Sequence, residues 1–156
     1  MIDLSNKDAL TGLFNRTAWN KKLEEINSKR EKVRVVFSDL NNLKRTNDVL
    51  GHNAGDELIN KFTNILKSVF INDEIFRIGG DEFVVVIENN LDNSDDKLGS
   101  FKKIVVDNKD IASFGECAGD SSNLVEIIKT AETVMYRDKS EYYKKNSVER
   151  RTNRDA

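Results

Sequence analysis

The chain has 156 residues, a length that corresponds to one domain able to bury a core without disulfides or structural metals. Its 25 basic and 27 acidic side chains give a formal net charge of −2, which argues against a nucleic-acid binder that relies on a basic face. The sequence contains neither an apolar run of about 18 residues nor a signal-peptide pattern. The only cysteine is Cys117, so we predict a soluble cytoplasmic domain without disulfides.

The first half of the chain predicts a helix, a strand and a second helix. Apolar residues at helical spacing predict a helix from about Arg16 to Lys29. The β-branched run at 33–37 predicts a buried strand that ends in Ser38 and Asp39, which places an acid at its carboxyl end. A strongly amphipathic helix is predicted to begin near Ala54.

A tight hairpin is predicted in the middle of the chain. Two short apolar runs, 75–78 and 83–87, are separated by the pair Gly79–Gly80. Two glycines readily adopt the positive φ angles of a tight turn. The acidic pair Asp81–Glu82 would therefore lie at the tip of a two-stranded ribbon.

The last third of the chain predicts a short helix around 101–105, a weak strand over 110–117 and a strong helix from Ser122 onwards. Helices and strands alternate irregularly around a single hairpin. This order favours an α+β sandwich with a mixed or mainly antiparallel sheet over a purely parallel one. The segment 149–156 has no large apolar residue, so we predict a domain over 1–148 and a disordered tail.

Three acidic residues lie where acids are costly unless they are used, namely Asp39 at a strand end and Asp81 and Glu82 at the hairpin tip. One interpretation is that they are ordinary cap and turn residues in contact with solvent. Carboxylates brought together from separate strands, however, raise each other's pKa unless a cation neutralises them. Mg²⁺ suits such a group because it takes one or two carboxylates together with substrate phosphates. A metal–nucleotide site follows if the strand end and the hairpin tip are neighbours.

A second polar cluster follows the first predicted strand. Lys44 and backbone amides near the strand end are suited to hold phosphates. Asp56 offers two acceptors for the adjacent N–H donors on the Watson–Crick edge of guanine, and Asn47 can add a donor and an acceptor. Each residue alone is equally typical of an ordinary surface, so only the combination indicates a nucleotide site.

Four motifs, in this order, resemble the GGDEF family of diguanylate cyclases. They are DALTGLFNR at 8–16, SDLNNLKRTND at 38–48, GHNAGD at 51–56 and RIGGDEF at 77–83, and the similarity continues through 131–139. The resemblance implies a palm-type nucleotide cyclase fold, in which helices flank a central, mainly antiparallel sheet that carries the GGDEF hairpin. It also implies a nucleotidyltransferase that condenses two GTP molecules into the bacterial second messenger cyclic di-GMP and releases two pyrophosphates.

The resemblance implies catalytic and metal-binding roles for the acidic residues. By position, the carboxylates of Asp39 and Asp81 and the backbone carbonyl of Leu40 would bind Mg²⁺ or Mn²⁺. Glu82 would lie beside the 3′-hydroxyl as a base or an additional metal ligand. The metals would orient the attacking hydroxyl and neutralise charge on the phosphates, as in two-metal phosphoryl transfer.

The same resemblance implies a set of substrate-binding residues. Asn47 and Asp56 would bind guanine, while Lys44 and Lys139 would bind phosphates. Gly79–Gly80 would allow the nucleotide to approach the backbone closely, because a side chain there would block it.

The chain departs from the family pattern at several positions, of which Asn41 and Leu43 remove no assigned metal ligand. Asn41 stands where many members have a second Asp. In place of the usual Gly-Arg-Asn near the end of the last helix, a direct count puts Tyr143 in the Arg position, and a two-residue insertion would instead supply Lys145. The usual Arg-x-x-Asp product-inhibition motif is reduced to FIND at 70–73, which keeps Asp73 but lacks the Arg, so we predict weak or absent feedback inhibition.

The family resemblance also implies partners. One domain supplies half of an active site, so activity requires a homodimer in which two GTP molecules face each other. Because the chain begins just before the Asp8 motif, we expect a fragment of a longer signalling protein, such as a membrane-bound receptor with this domain in the cytoplasm. Without an upstream sensory or dimerisation region the fragment would be monomeric and feebly active, and no nucleic acid or direct membrane contact is expected.

Two alternative functions keep the fold and change the activity. One is a catalytically weak or inactive GTP-binding module that regulates a neighbouring domain. The altered end of the last helix favours it, whereas the retention of both acids in the hairpin weighs against it. The other is a cyclase that makes a mixed purine dinucleotide, against which Asp56 argues because its two acceptors suit guanine.

Overall fold

The computed structural model describes residues 4–89 and 91–155 and contains a four-stranded sheet with helices on both faces. The strands are β1 (Lys32–Leu40), β2 (Glu74–Arg77), β3 (Glu82–Ile87) and β4 (Ala112–Asp120). The α-helices are α1 (Arg16–Ser28), α2 (Leu43–Leu50), α3 (His52–Val69), α4 (Ser94–Asp107) and α5 (Leu124–Asp155). Over the described ranges, no helix is both long and apolar enough to cross a membrane.

Every pair of neighbouring strands is antiparallel, and the strand order is β2-β3-β1-β4. Strand β1 therefore lies inside the sheet, hydrogen-bonded to β3 on one side and to β4 on the other. Its β-branched and aromatic residues are buried along most of its length, as expected for a strand covered on both faces. The prediction of an α+β fold with a mainly antiparallel sheet is confirmed.

Each face of the sheet packs against its own pair of helices. On one face, Val36 and Leu40 of β1 share a core with α3 and α4. On the other face, Val35 and Phe37 share a core with α1 and α5, where the indole of Trp19 packs edge-on to the ring of Phe37. Each fully buried side chain of this size contributes about 1.5–3 kcal/mol. The two cores therefore hold the strand ends in a defined position relative to the helices.

The hydrophobic pattern predicted most elements to within a few residues, and helix α2 is the one it did not predict. None of the eight residues of α2 is buried, and its three apolar residues, Leu43, Val49 and Leu50, are too few to mark a helix in the sequence. Helix α3 begins at His52, two residues before the predicted start near Ala54. The backbone of α5 continues as a helix to Asp155, Ala156 lies outside the described residues, and the disordered tail over 149–156 stays a prediction.

The hairpin between β2 and β3 forms where it was predicted, but its glycines have a different conformation. Neither Gly79 nor Gly80 has a positive φ, so that part of the prediction is wrong. The turn is instead closed by Ile78, whose N–H donates to the carbonyl of Glu82 at 2.9 Å. A side chain added at Gly80 would meet no atom within 4 Å, so the fold of the isolated domain leaves open space above this turn.

Candidate active site

The carboxyl end of β1 and the start of β3 bring three acidic residues together. In the antiparallel register Asp39 pairs directly with Glu82, and the Leu40 N–H donates to the carbonyl of Asp81 at 2.8 Å. Carboxylate oxygens of Asp39, Asp81 and Glu82 all lie within 4.8 Å of one another. Residues far apart in the sequence thus form one acidic cluster, which Leu40 joins through its backbone.

Burial and a lysine determine the charge of this cluster. Burial raises the pKa of Asp39 to about 7, the nearby Asp81 adds to the increase, and Lys139 opposes it. The Nζ of Lys139 lies 2.5 Å from Oδ1 of Asp39, 3.9 Å from Oδ2 of Asp81 and 3.3 Å from the carbonyl oxygen of Leu40. The lysine is thus a cation held against carboxylates that repel one another.

The donor set of the cluster fits a hard divalent cation. Three carboxylates and the Leu40 carbonyl are all oxygen ligands, the type that Mg²⁺ and Mn²⁺ prefer. A divalent cation would stabilise the charged form of Asp39 and so lower its raised pKa. Because an ammonium group has three donors, Lys139 can contact a phosphate, as the family resemblance implies, through its third donor or by leaving Asp39 or the Leu40 carbonyl.

The hairpin is held in place by Arg77, the first residue of the RIGGDEF motif, for which no role was predicted. Nη1 of Arg77 binds both carboxylate oxygens of Asp8, at 3.2 and 3.1 Å, while Nε and Nη2 bind the carbonyl of Gly80 at 3.2 and 2.9 Å. Asp8 also accepts hydrogen bonds from the backbone N–H and the hydroxyl of Thr11. Although burial opposes it, these bonds hold the pKa of Asp8 below its usual value. The N-terminal motif therefore braces the turn that carries Asp81.

The other candidate substrate-binding residues lie on α2 and α3. Lys44 and Asn47 are on α2, and Asp56 is exposed in the first turns of α3. Among the described residues, no hydrogen bond or ion pair joins these three side chains to the acidic cluster. The amide of Asn47 packs on the backbone of Gly55, so closely that a Cβ at Gly55 would lie 2.8 Å from Cγ of Asn47 and nearer still to its Oδ1.

The end of α5 contains the two residues considered for the missing arginine. The hydroxyl of Tyr143 accepts a hydrogen bond from the N–H of Asn42 at 3.0 Å, directly after the Leu40 end of β1. Lys145 instead lines a groove of about 510 Å³ between α4, β4 and α5. Of these two residues, Tyr143 is therefore the one that contacts the turn after β1.

Fold and site together define an α+β domain in which an antiparallel sheet presents a carboxylate cluster whose oxygen donors suit a divalent cation. The family model for the diguanylate cyclase GGDEF domain matches residues 5–145. Because this match covers most of the chain, the chain belongs to the GGDEF domain family.

Curated relatives include proteins with two different activities in their names. The chain is 39% identical over 89 residues to "Diguanylate cyclase DgcS" of Shewanella oneidensis, a match that covers 54% of this chain and 30% of that protein. It is 31% identical over 147 residues to "Cyclic di-GMP phosphodiesterase PdeR" of Escherichia coli, which covers 85% of this chain and 22% of that protein. The chain thus spans less than a third of the length of these two relatives.

Solved structures agree with the fold. The GGDEF domain of FimX from Pseudomonas aeruginosa superposes with a TM-score of 0.75 at 15% identity, covering 87% of this chain and 94% of that one. The GGDEF domain of DgcB from Caulobacter crescentus, solved in complex with c-di-GMP, gives 0.74 at 19% identity, covering 90% and 94%. The prediction of a GGDEF-type fold is confirmed.

Proposed function

We propose that this chain is a diguanylate cyclase domain, which condenses two GTP molecules into cyclic di-GMP and releases two pyrophosphates. The observation that carries the proposal is the cluster of Asp39, Asp81 and Glu82, whose carboxylate oxygens lie within 4.8 Å of one another. Carboxylates this close repel one another unless a cation neutralises them, and membership of the GGDEF family implies that they bind a divalent metal ion.

Each side chain has a distinct role in this proposal. Asp39, Asp81 and the Leu40 carbonyl would hold Mg²⁺ or Mn²⁺, which supplies positive charge for the phosphates of GTP. Glu82 would accept the proton of a 3′-hydroxyl, or complete the ligand set, as that oxygen bonds to the α-phosphorus of the second GTP and pyrophosphate leaves. When GTP binds, the ammonium group of Lys139 would leave the Asp39 carboxylate and bind a phosphate oxygen.

Residues on α2 and α3 would recognise the substrate. Asn47 and Asp56 would bind the edge of guanine, and Lys44 would bind phosphate. The open space at Gly80 would accommodate the nucleotide. Because each copy would present one GTP, the product requires a second copy of the chain facing the first. A homodimer is therefore part of the proposal.

The proposal is tested by incubating the chain with GTP and Mg²⁺ over a range of protein concentrations and separating the products by chromatography. A fusion to a dimeric coiled coil provides the second copy at low concentration. We expect cyclic di-GMP and pyrophosphate in a 1:2 ratio, with a specific activity that rises with concentration for the unfused chain. A fusion that binds GTP and forms no cyclic di-GMP contradicts the proposal.

A GTP-binding regulatory module is the second candidate, and it is supported by the absence of the family's Gly-Arg-Asn near the end of the last helix and by relatives named as phosphodiesterases. In that case GTP binding would not be followed by turnover, even in the coiled-coil fusion. Product analysis with mixed GTP and ATP tests the mixed-dinucleotide alternative in the same experiment.

Replacing Gly55 by Ala is expected to weaken GTP binding about tenfold, the equivalent of one lost hydrogen-bonding interaction. The new methyl group would occupy the space of the Asn47 amide and force that side chain to rotate away from its present position. Titration with a non-hydrolysable GTP analogue measures the effect. The double variant Gly55→Ala/Asn47→Ala should bind no more weakly than Asn47→Ala alone. Additive losses would show that Gly55 does not act through Asn47.

Feedback inhibition through the position of the family's inhibitory motif is expected to be weak or absent. The Asp73 carboxylate is bound by Nζ of Lys97 at 3.0 Å, and its side chain is only 2% exposed. The motif's arginine is missing, and the carboxylate already has a partner, so little is left for a product molecule to bind. Titration with cyclic di-GMP should give the same weak binding for the unmodified chain and for Asp73→Asn. Tight binding that Asp73→Asn abolishes would contradict this prediction.

A further inference from the structure

The turn between β1 and α2 immediately follows the Leu40 carbonyl and is formed by two asparagines, Asn41 and Asn42. Asn42 has a φ of 65°, a left-handed conformation that asparagine tolerates better than most residues. Its side chain makes no capping hydrogen bond to α2. The side chain of Asn42 is therefore available to bond with elements other than α2.

Asn41 attaches the turn to the segment that enters β4. Its N–H donates to the carbonyl of Ile111 at 3.0 Å, and its Nδ2 donates to the carbonyl of Asp110 at 2.8 Å. Its Oδ1 accepts from the hydroxyl of Ser113 at 3.0 Å, and the side chain is buried. The amide found here in place of the family's frequent Asp is thus satisfied as both donor and acceptor.

Asn42 attaches the turn to α5 through two tyrosines. Its backbone N–H donates to the hydroxyl of Tyr143 at 3.0 Å, and its Nδ2 donates to the hydroxyl of Tyr142 at 2.5 Å. The two rings pack edge to face with their centroids 5.2 Å apart. Both the backbone N–H and the side-chain amide of Asn42 therefore donate hydrogen bonds to hydroxyl groups of adjacent residues on α5.

Tyr142 and Tyr143 lie on α5 close to Lys139. They follow Lys139 by three and four residues, so the three side chains lie along one side of the helix. Lys139 contacts Asp39 and the Leu40 carbonyl, and its Nζ lies 5.8 Å from the centre of the Tyr143 ring. Helix α5 thus touches the end of β1 and the following turn through adjacent side chains.

We propose that Tyr142 and Tyr143 are positioning residues that hold Asn42 and so complete, together with the bonds of Asn41, the support of the Leu40 carbonyl at the metal site. The inference rests on the proposed function, because it concerns the same cation site. A neutral tyrosine hydroxyl cannot replace arginine as a bidentate phosphate partner, whereas it can accept the N–H of the turn. In this chain the arginine position orders a metal ligand instead of contacting phosphate directly.

The test removes the two hydroxyls and keeps the rings, in the double variant Tyr142→Phe/Tyr143→Phe. Binding of Mn²⁺ alone, without nucleotide, is measured by electron paramagnetic resonance. Loss of partners that orient metal ligands weakens metal binding by at least about tenfold, and we expect a loss of that size here. Amide hydrogen exchange at 40–43 should accelerate in the same variant. Neither readout depends on turnover.

The matched control is Thr133→Ala, which removes one hydroxyl hydrogen bond from α5, to the carbonyl of Lys129, away from the turn. It should leave Mn²⁺ affinity and exchange at 40–43 unchanged. Mn²⁺ affinity of the tyrosine double variant within twofold of the unmodified chain would overturn the inference. Failure of the unmodified chain to bind Mn²⁺ would overturn both the inference and the proposed function, whereas Mn²⁺ binding without cyclic di-GMP formation would overturn only the activity.

Discussion

Replacing Glu82 by Gln is expected to lower the rate of cyclic di-GMP formation at least about a hundredfold, the usual contribution of a positioned acid–base group. Glu82 lies opposite Asp39 in the β1–β3 register and contributes one of the three clustered carboxylates. Glutamine has nearly the same shape, but it can neither accept the proton of the 3′-hydroxyl nor supply a negative charge. The rate is measured at saturating GTP and Mg²⁺ on the coiled-coil fusion.

The loss should appear in turnover and not in folding or GTP binding. Glu82 lies beside the carboxyl groups of Asp39 and Asp81, so the loss of its negative charge should not lower the free energy of unfolding. GTP affinity should change little, because guanine and phosphate contacts are assigned to other residues. Glu126→Gln, an exposed substitution in the first turn of α5, serves as the control and should keep full activity. A Glu82→Gln variant that retains more than about a tenth of the rate would exclude the role of a required base.

Replacing Gly115 by Ala is expected to destabilise the fold by about 3 kcal/mol, the upper part of the range for overpacked cores. A Cβ at this position of β4 would lie 2.8 Å from Cβ of Val134 and still closer to the backbone oxygen of Ala131 and the backbone nitrogen of Met135. A side chain can rotate away from such a clash, whereas the backbone of a helix cannot. Helix α5 would have to move off the sheet, and urea denaturation would report a lower free energy of unfolding.

The displacement of α5 should also affect the candidate active site, because the same helix carries Lys139. Gly99→Ala is the matched control, since a Cβ at Gly99 in α4 meets no atom within 4 Å. Alanine favours the helix more than glycine does, so this control should be stabilised by roughly 0.5–1 kcal/mol. If Gly115→Ala lowers the stability by less than about 1 kcal/mol, helix and strand are less tightly apposed than the structure indicates.

Periodic apolar residues predicted the elements that bury a continuous stripe or run. Strand β1, helix α3 and the β2–β3 hairpin were placed by this pattern because their side chains form the two cores. Helix α2 has no buried residue, and its three apolar residues are too few to mark it in the sequence. The positive φ expected at Gly79–Gly80 was wrong, because glycine permits that conformation without requiring it.

The chemistry of the candidate site was predicted only as far as residue types and motifs allow. The sequence contained Asp39, Asp81 and Glu82 in separate segments, and the antiparallel pairing of β1 with β3 made them neighbours. The contacts of Arg77 with the Gly80 carbonyl and with Asp8 were not predicted. Every residue has a backbone carbonyl, so the sequence does not indicate which one a side chain will bind.

The sequence by itself determined the family, the α+β class and the identity of the candidate ligands, because each depends on residue type and order along the chain. Only the tertiary structure decided what those residues touch. It set Lys139 against Asp39, the Asn47 amide against Gly55, and α5 against Gly115. Some of these contacts join segments that are distant in the sequence, and others require a glycine, which has no side chain, at the point of contact. Both kinds are determined by the packing of the elements in three dimensions.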